Sequence, residues 1–296
     1  MKNEYTFRPM AAAYRRLAWS AALTCYALIV LGGVVRITGS GLGCGNHWPL
    51  CNARLLPPLD LPTIIEYGHR LVAGAVSFLV LALGWVTWLA RRGADRRLQS
   101  APSRAPYLAV ALLILQVTLG AITVKLDLPP WTVILHLGTA MLLFATLLFA
   151  ARQSLTPGTP GAPGLRPGLG TAVTALIFAT VLLGALTANL GAASACLGFP
   201  LCNGQVIPEG NRFQYIQWAH RLLAYSLGVA AVIWAVRSRT RGPRWVLALV
   251  LAQVGVAAAM VLEGLPEGLR VLHVAVGAAV WGGAVLAALS DVSRAP

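Results

Sequence analysis

The sequence predicts an all-α integral membrane protein with eight transmembrane helices, arranged as two pseudo-symmetric four-helix bundles with both termini in the cytoplasm. Of its 296 residues, 57% are hydrophobic and only 11% are charged, too few charges to cover a soluble domain of this size. The apolar residues occur in runs of about twenty, the length that crosses about 30 Å of hydrocarbon. A motif of cysteines and histidines also occurs twice, half a chain apart.

The apolar runs define eight spanning segments. They cover residues 17–36, 65–90, 107–125, 132–151, 170–190, 214–236, 244–262 and 270–289. The first segment is too long for the core of a signal peptide, and no convincing cleavage site follows it, so we expect it to be retained as a helix. The residues before Cys25 only loosely resemble a lipoprotein site, and Cys25 is interpreted as a buried packing thiol.

The basic residues orient these segments. Sixteen of the twenty-three lysines and arginines lie in alternate segments, namely residues 1–16, 91–104, 152–166, 237–244 and the C-terminal tail. Cytoplasmic loops of membrane proteins carry such an excess, so both termini are predicted to be cytoplasmic. The same bias explains the net charge of +14 better than nucleic-acid binding does, and we expect membrane lipid rather than nucleic acid as a partner.

A linker rich in proline and glycine, residues 156–170, divides the chain. It fits neither helix nor strand and is interpreted as a flexible hinge between residues 1–155 and 156–296. Each half holds four spanning segments, and four is even, so both halves insert in the same orientation. A pseudo-two-fold axis along the membrane normal is therefore predicted to relate them.

Four histidines lie inside the spanning segments. His69 and His220 each follow a cysteine by eighteen residues, and His136 and His273 lie in later apolar runs. In the predicted topology all four fall in the first turns of outside-to-inside helices, toward the extracytoplasmic face. One intramembrane histidine often only bonds a neighbouring helix, but four in matched positions indicate a functional site.

Neutral imidazole is a good axial ligand for haem iron, and a four-helix bundle can hold a porphyrin between facing helices. His69 with His136, and His220 with His273, are therefore predicted to bracket one haem each. The chain has no Cys-x-x-Cys-His motif, so covalent attachment of haem is not indicated.

Glu66 lies three residues before His69, on the same helical face, and Gln217 occupies the equivalent place in the second half. A carboxylate can change its protonation state and an amide cannot, which favours a chemical first site and an electron-carrying second one. The alternative is a surface glutamate stabilised by a helix N-terminus. Arg70 and Arg221 could pair with haem propionates, or extend to the membrane interface.

Two closely spaced cysteine pairs, Cys44 with Cys51 and Cys196 with Cys202, fall in the predicted outer loops, where disulfides form readily. Both pairs could simply staple their loops. A redox or transfer role is also open for Cys44 and Cys51, whose glycine-rich loop leads toward the Glu66 helix. A zinc site is a less favoured interpretation, because two thiols with only His47 nearby make an incomplete ligand set. His47 itself is expected to face solvent.

These motifs resemble those of the haem A synthase family, in its bacterial type with a cysteine pair in each half. The resemblance rests on the glycine-rich stretch 39–51, on Glu66-Tyr-Gly-His69-Arg70 and on the second outer loop, residues 195–202, and it covers essentially the whole chain. It implies oxidation of the C8 methyl group of haem O to a formyl group, through hydroxylation, which yields haem A for terminal oxidases.

The resemblance implies a role for each residue of the N-terminal half. His69 and His136 would lie in the site of the substrate haem, and Glu66 would be a catalytic carboxylate. Cys44 and Cys51 would form the disulfide that is linked to activity.

In the C-terminal half, His220 and His273 would ligate a haem b cofactor, and Cys196–Cys202 would be structural. Further expected partners are haem O synthase, an unidentified electron donor and other copies of the chain. Two other functions stay open, a bis-histidine membrane b-type cytochrome for electron transfer and a membrane thiol–disulfide oxidoreductase. The difference between Glu66 and Gln217 disfavours the first, and the four histidines are unexplained by the second.

Overall fold

The computed structural model describes residues 2–55, 57–92, 104–152 and 167–292, and across these ranges the chain is helical apart from loops and two isolated β-bridges. The helices are α1 (Lys2–Ile37), α2 (Leu61–Arg92), α3 (Ala105–Lys125), α4 (Pro130–Arg152), α5 (Leu169–Asn189), α6 (Arg212–Arg237), α7 (Gly242–Leu262) and α8 (Glu267–Val292). Each is long and apolar enough to cross a membrane. The predicted all-α membrane fold is confirmed.

The largest difference from the predicted segments is the start of α1, which begins at Lys2 rather than at residue 17. Hydropathy marks only the part of a helix that lies in hydrocarbon, and the apolar run of α1 begins at Leu17, after Arg15 and Arg16. The start of α2 also differs, by four residues. It is set by Asp60, whose Oδ2 accepts a hydrogen bond from the backbone N–H of Thr63 at 3.2 Å. Hydrogen bonds from Thr63 also hold the pKa of the Asp60 carboxyl below its usual value.

The helices pack as two closed sets of four. In the first, α1 contacts α2 and α4, and α3 contacts the same two helices; in the second, α5 contacts α6 and α8, and α7 does likewise. The sets meet through three pairs, α1 with α8, α4 with α5, and α4 with α8. Exchanging the halves maps these pairs onto one another, as a two-fold axis between α4 and α8 requires. The axis itself stays a prediction, and the linker 156–170 and loop 91–104 lie mostly outside the described residues.

Aromatic side chains fill the interface between the halves. The indole N–H of Trp281 donates to the backbone carbonyl of Met141 at 2.8 Å, in a buried position, and its ring lies 5.3 Å from that of Phe178. The Tyr26 hydroxyl donates to the carbonyl of Ala275 at 3.1 Å. α4 and α8 are the most buried helices, and α3 and α7 are the least. The helices that carry His136 and His273 are thus fixed at the centre of the molecule.

Candidate functional site

The four histidines lie at similar depth, near one end of the molecule. His69 and His220 each stand eight residues into α2 and α6, about 12 Å from the helix start, and His136 and His273 stand six residues into α4 and α8, about 9 Å from it. All four helices start at the end that carries the two disulfide loops, which we call the loop end. Sequence reasoning predicted this common depth.

Each half brings its two histidines together. The rings of His69 and His136 are near enough to interact electrostatically, and so are those of His220 and His273. Nδ1 of His136, His220 and His273 is buried and has no hydrogen-bond partner within the described part of the chain. Buried ring nitrogens without partners, paired between facing helices, match the donor set that haem iron requires.

Glycines of neighbouring helices leave room for these rings. Three pairs are in close contact: Gly32 with His69, Gly120 with His136, and Gly184 with His220. A Cβ atom at Gly184 would lie only 2.8 Å from the imidazole of His220, so any larger side chain would displace the ring. The glycines therefore let each ring lie against a neighbouring helix, and the buried, paired imidazoles are a donor set that fits haem binding.

Two glutamines contact the second histidine of each half, and the sequence did not predict them. Gln116 on α3 contacts His136 through Nε2 atoms 3.1 Å apart, and Gln253 on α7 contacts His273 in the same way at 3.3 Å. Each glutamine precedes its histidine by twenty residues. A polar residue at the same spacing within two apolar runs is the signal that could have revealed them.

The first outer loop joins the predicted catalytic residues. Cys44 and Cys51 form a disulfide with a Cα–Cα distance of 4.4 Å. Oε2 of Glu66 accepts a hydrogen bond from the backbone N–H of Cys44 at 2.8 Å, and Oε1 accepts one from Nη2 of Arg70 at 2.6 Å. Glu66 is only 4% exposed. The carboxylate is therefore a buried acceptor held directly against the cysteine pair, rather than a surface group.

The second outer loop has the same disulfide and lacks the carboxylate. Cys196 and Cys202 are bonded, with a Cα–Cα distance of 4.6 Å. Gln217 is buried like Glu66, but its Oε1 has no partner among the described residues. Nη2 of Arg221 donates to the carbonyl of Cys196 at 2.8 Å. Here the arginine holds the loop directly, with no acidic group between them.

The arginines that directly follow His69 and His220 hold the two disulfide loops, a role that the sequence did not predict. Nη1 of Arg70 donates to the carbonyls of His47, Pro49 and Leu50 at 2.9 to 3.2 Å. Arg221 donates in the same way to the carbonyl of Leu201, at 2.8 Å. Both side chains bind loop carbonyls, and their pairing with haem propionates stays a prediction.

Two other arginines, Arg36 and Arg270, lie at the loop end without a carboxylate partner among the described residues. Arg36 on α1 donates through Nε to Oδ1 of Asn189 at 3.0 Å, which joins the two halves. It is also near enough to Arg270 on α8 for the two positive charges to repel each other. Within the described ranges neither forms an ion pair with a carboxylate, since the one ion pair there is Arg70–Glu66. Arg270 lies one turn from His273 toward the loop end, and Arg36 lies one turn from Gly32 in the same direction.

The remaining predicted positions are simpler. His47 is exposed, and Cys25 is buried and unbonded, as the sequence predicts. The cysteines of each outer pair are bonded to each other, so they offer no thiolate to zinc. In the part of the chain that the structure describes, no three histidine, cysteine, aspartate or glutamate side chains are grouped so that they could hold a metal ion.

The chain is similar over most of its length to one protein family. The family model COX15-CtaA, described as cytochrome oxidase assembly protein, matches residues 15–285. The heme A synthase of Symbiobacterium thermophilum is 34% identical over 276 residues, which are 86% of this chain and 87% of that protein. The heme A synthase of Shouchella clausii is 33% identical, over 77% of this chain and 78% of its own length. That of Bacillus licheniformis is 30% identical, over 89% and 91% respectively.

Proposed function

The chain belongs to the COX15-CtaA family of cytochrome oxidase assembly proteins, and from this premise we propose how its two halves share the synthesis of haem A. It acts as a haem A synthase, an oxidoreductase of the membrane, as its relatives of 30 to 34% identity are named. The reaction we assign to it is oxidation of the C8 methyl group of haem O to a formyl group, through hydroxylation. The observation that carries the assignment is the family match over residues 15–285.

The N-terminal half, residues 1–155, holds the substrate in this proposal. His69 and His136 are near enough to interact electrostatically, and Gly32 and Gly120 lie beside their rings, which supports binding of an iron-containing substrate by this pair. Glu66 lies one turn from His69 toward the loop end. The chemistry belongs here because this half alone has a carboxylate at that position.

The C-terminal half, residues 156–296, holds the cofactor. His220 and His273 are the proposed axial ligands of a haem b, which supplies one-electron redox chemistry when bound. Two observations support the proposal. The two rings are near enough to interact electrostatically, and the Nδ1 atom of each is buried without a hydrogen-bond partner among the described residues. Gln217 in this half cannot exchange a proton as a carboxylate does, which suits a site that only relays electrons.

Glu66 takes up a proton, or stabilises a developing positive charge, while the substrate methyl group is oxidised. Two donors hold its carboxylate oxygens, Arg70 and the N–H of Cys44, so the group is fixed in place and ready as an acceptor. Proton transfer by a fixed side chain contributes typically about 100- to 10,000-fold to a rate. The same contacts make Cys44–Cys51 the disulfide linked to activity, because any movement of that loop moves the N–H on which Glu66 depends.

Beside Arg70 and Arg221, whose side chains already bind loop carbonyls, Arg36 and Arg270 are further proposed partners of the haem propionates. Both lie one turn from the haem-binding positions toward the loop end, and their unbalanced positive charges favour a carboxylate between or beside them. On this assignment Arg270 serves the C-terminal haem b and Arg36 serves the substrate.

Eight spanning helices make the chain a multi-pass membrane protein, and its bacterial relatives indicate the cell membrane. We assign the loop end to the extracytoplasmic side, which the distribution of arginine and lysine supports. Haem O synthase is then the natural supplier of substrate. Conversion of a methyl to a formyl group removes electrons and adds an oxygen atom, so the reaction also requires an oxidant, and the haem b would relay electrons between the substrate site and a redox partner at the membrane.

The activity is tested in membranes of a bacterium that makes haem O but has no enzyme of its own to convert it. Expression of this chain is expected to convert part of the extracted haem from haem O to haem A, identified by mass after chromatography. A catalytically altered control, Glu66→Gln, is expressed at matched level. Membranes that contain the protein at full level but only unchanged haem O would contradict the proposed function.

A further inference from the structure

The two histidine sites are linked where α1 of the first half crosses α8 of the second, and two consecutive glycines of α1 make the link. Gly32 lies against the ring of His69, where an added Cβ atom would be 3.3 Å from Nε2. Gly33 lies against Val274, where a Cβ atom would be only 2.9 Å from Cγ1. Val274 directly follows His273. A pair of adjacent residues therefore connects a histidine site of one half to a histidine site of the other.

The contact at Val274 fixes the spacing of α1 and α8. A β-branched side chain is stiff and cannot turn away from its neighbour, and glycine lets two helix backbones come close together. Hydrogen bonds hold α1 on both sides of this contact. The Tyr26 hydroxyl donates to the carbonyl of Ala275 at 3.1 Å, and Nε of Arg36 donates to Oδ1 of Asn189 on α5 at 3.0 Å. The first half is thus tied to the second at the level of the histidines.

The equivalent crossing, between α5 and α4, makes a longer link. Gly184 lies against the ring of His220, but the next residue is an alanine instead of a second glycine. Contact with α4 is made two residues away by Leu182, whose Cδ2 is 3.2 Å from the Cβ position of Gly138. Gly138 is in turn two residues from His136. This link takes two residue steps along each helix, where the α1–α8 link takes one.

The proposed function requires electrons to move between the two halves, because the cofactor relays them to or from the substrate site. Electrons move between redox groups most readily along short paths of covalent bonds and tight contacts. The α1–α8 crossing is the shorter of the two links. It is also closed by a backbone against a stiff side chain, whereas the other is closed by the flexible end of a leucine.

We propose that Gly33 and Val274 are positioning residues for electron exchange between the halves. They keep α1 against α8 and so hold the site of His69 close to that of His273. One electron passes along this crossing, so the haem of one half is oxidised as that of the other is reduced, and no atom is transferred. This inference deepens the proposed function and rests on it, since it requires a haem in each half.

The inference is tested by the rate of electron exchange inside the protein. The full-length chain is made together with haem O synthase and purified in detergent. A light-activated ruthenium complex with a sacrificial donor supplies one electron in a short pulse. The formyl group of haem A shifts its absorption to longer wavelength than that of haem b, so redistribution of the electron appears as opposite absorbance changes at two wavelengths. A rate that is independent of protein concentration identifies exchange within one molecule.

Two substitutions of opposite size give the expected result its direction. Gly33→Ala presses a methyl group against Val274 and should move α1 away from α8, so the exchange rate is expected to fall at unchanged haem content. Val274→Ala leaves a gap at the same point and is also expected to lower the rate. In the double variant only the Cβ atom of residue 274 remains near the new methyl group, at 3.3 Å. Its rate is expected to return toward that of the wild type, a non-additive result that residues in contact give.

Gly138→Ala is the matched control. It adds the same methyl group to the α4–α5 crossing, where the flexible end of Leu182 can move aside, and its exchange rate is expected to equal that of the wild type. Haem content and size-exclusion profiles are measured on every variant. Val274→Ala gives the decisive result if Gly33→Ala does not fold.

Wild-type exchange rates in both Gly33→Ala and Val274→Ala, with both haems bound, would overturn the inference. So would a larger loss in Gly138→Ala, because the electron would then use the other crossing. The proposed function fails separately, if the N-terminal half holds haem b in place of haem O or its products. Exchange between two b haems, distinguished by their low-spin electron paramagnetic resonance signals in rapidly frozen samples, then still tests the role of Gly33.

Discussion

The two loop–helix junctions, one above His69 and one above His220, share a scaffold and differ at one hydrogen-bonding centre. In the first, the Tyr67 hydroxyl donates to the carbonyl of Leu55 at 2.9 Å. In the second, the indole N–H of Trp218 donates to the carbonyl of Val206 at 2.7 Å. Each junction also has a short loop closed by a disulfide and an arginine that binds carbonyls of that loop. The scaffold is thus constant, although the residues that build it are not identical.

The difference lies at Glu66 and Gln217. Nη2 of Arg70 donates to the Glu66 carboxylate, whereas Nη2 of Arg221 donates to the carbonyl of Cys196. The carboxylate thus links α2 to the disulfide through a charged group, and the second junction closes without one. In the proposed function, this one side chain separates the half that carries out proton chemistry from the half that holds a cofactor. The following variants test that contrast, from the largest expected effect to the smallest.

Removal of a histidine should separate the two halves most strongly. His220→Ala is expected to reduce haem b in the purified protein to less than about a tenth of the wild-type content, because an axial ligand is lost. His69→Ala is expected to keep haem b and to lose the substrate haem. Extracted haems are quantified by pyridine haemochrome spectra, with His47→Ala as an exposed control. Unchanged haem b in His220→Ala would remove that ligand from the account.

Glu66→Gln converts the first junction into a copy of the second. Haem should remain bound, but formation of haem A should fall by about 100-fold or more, since the amide cannot take up a proton. Product is measured by chromatography and mass from membranes with equal protein. Adding Gln217→Glu to this variant should not restore product, because the carboxylate would then lie in the wrong half. Normal haem A yield from Glu66→Gln would exclude Glu66 from the mechanism.

Removal of either disulfide should lower stability equally, but only removal of the first should lower activity. Each closes a loop of similar length, so Cys44→Ser with Cys51→Ser, and Cys196→Ser with Cys202→Ser, should each lower stability by about 2–3 kcal/mol. Only the first double variant should also lower haem A formation, by between about 10- and 100-fold, because Glu66 loses its fixed N–H partner. Thermal unfolding in detergent and haem A yield are measured on the same preparations. Equal activity losses would show that both disulfides are structural.

Arg36 and Arg270, which form no ion pair among the described residues, should give the smallest effects. Arg270→Ala is expected to weaken haem b binding by about 1 kcal/mol, or roughly five-fold, as for one partly exposed ion pair. Arg36→Ala should leave haem b in place and weaken binding of the substrate haem by a similar factor. Haem titration of protein purified without haem measures both. Loss of haem b from Arg36→Ala and not from Arg270→Ala would reverse the assignment of the two arginines.

The parts of this molecule that the sequence could predict are those set by local composition. Apolar runs located all eight helices, and the four histidines stood out because ionisable groups are rare in hydrocarbon. The start of α1 at Lys2 was missed, because nothing in hydropathy reports a helix that continues beyond the membrane. The orientation of the chain and the pseudo-two-fold axis remain predictions.

The parts that the sequence could not predict depend on the path of the loops and on neutral side chains. Arg70 and Arg221 bind carbonyls whose positions are determined by the folded disulfide loops, so no spacing rule reveals those partners. Gln116 and Gln253 carry no charge and interrupt their apolar runs only slightly. Their contacts with His136 and His273 form only when α3 packs against α4 and α7 packs against α8.

The central claim is that one half holds a resident cofactor and the other a substrate that changes. The most direct test is to purify the wild type and His69→Ala together with haem O synthase, and to identify the extracted haems of each by mass. The account predicts haem b with haem O, hydroxylated haem O or haem A in the wild type, and haem b alone in His69→Ala. Haem b alone in the wild type, despite available haem O, would contradict it and indicate an electron-transfer cytochrome.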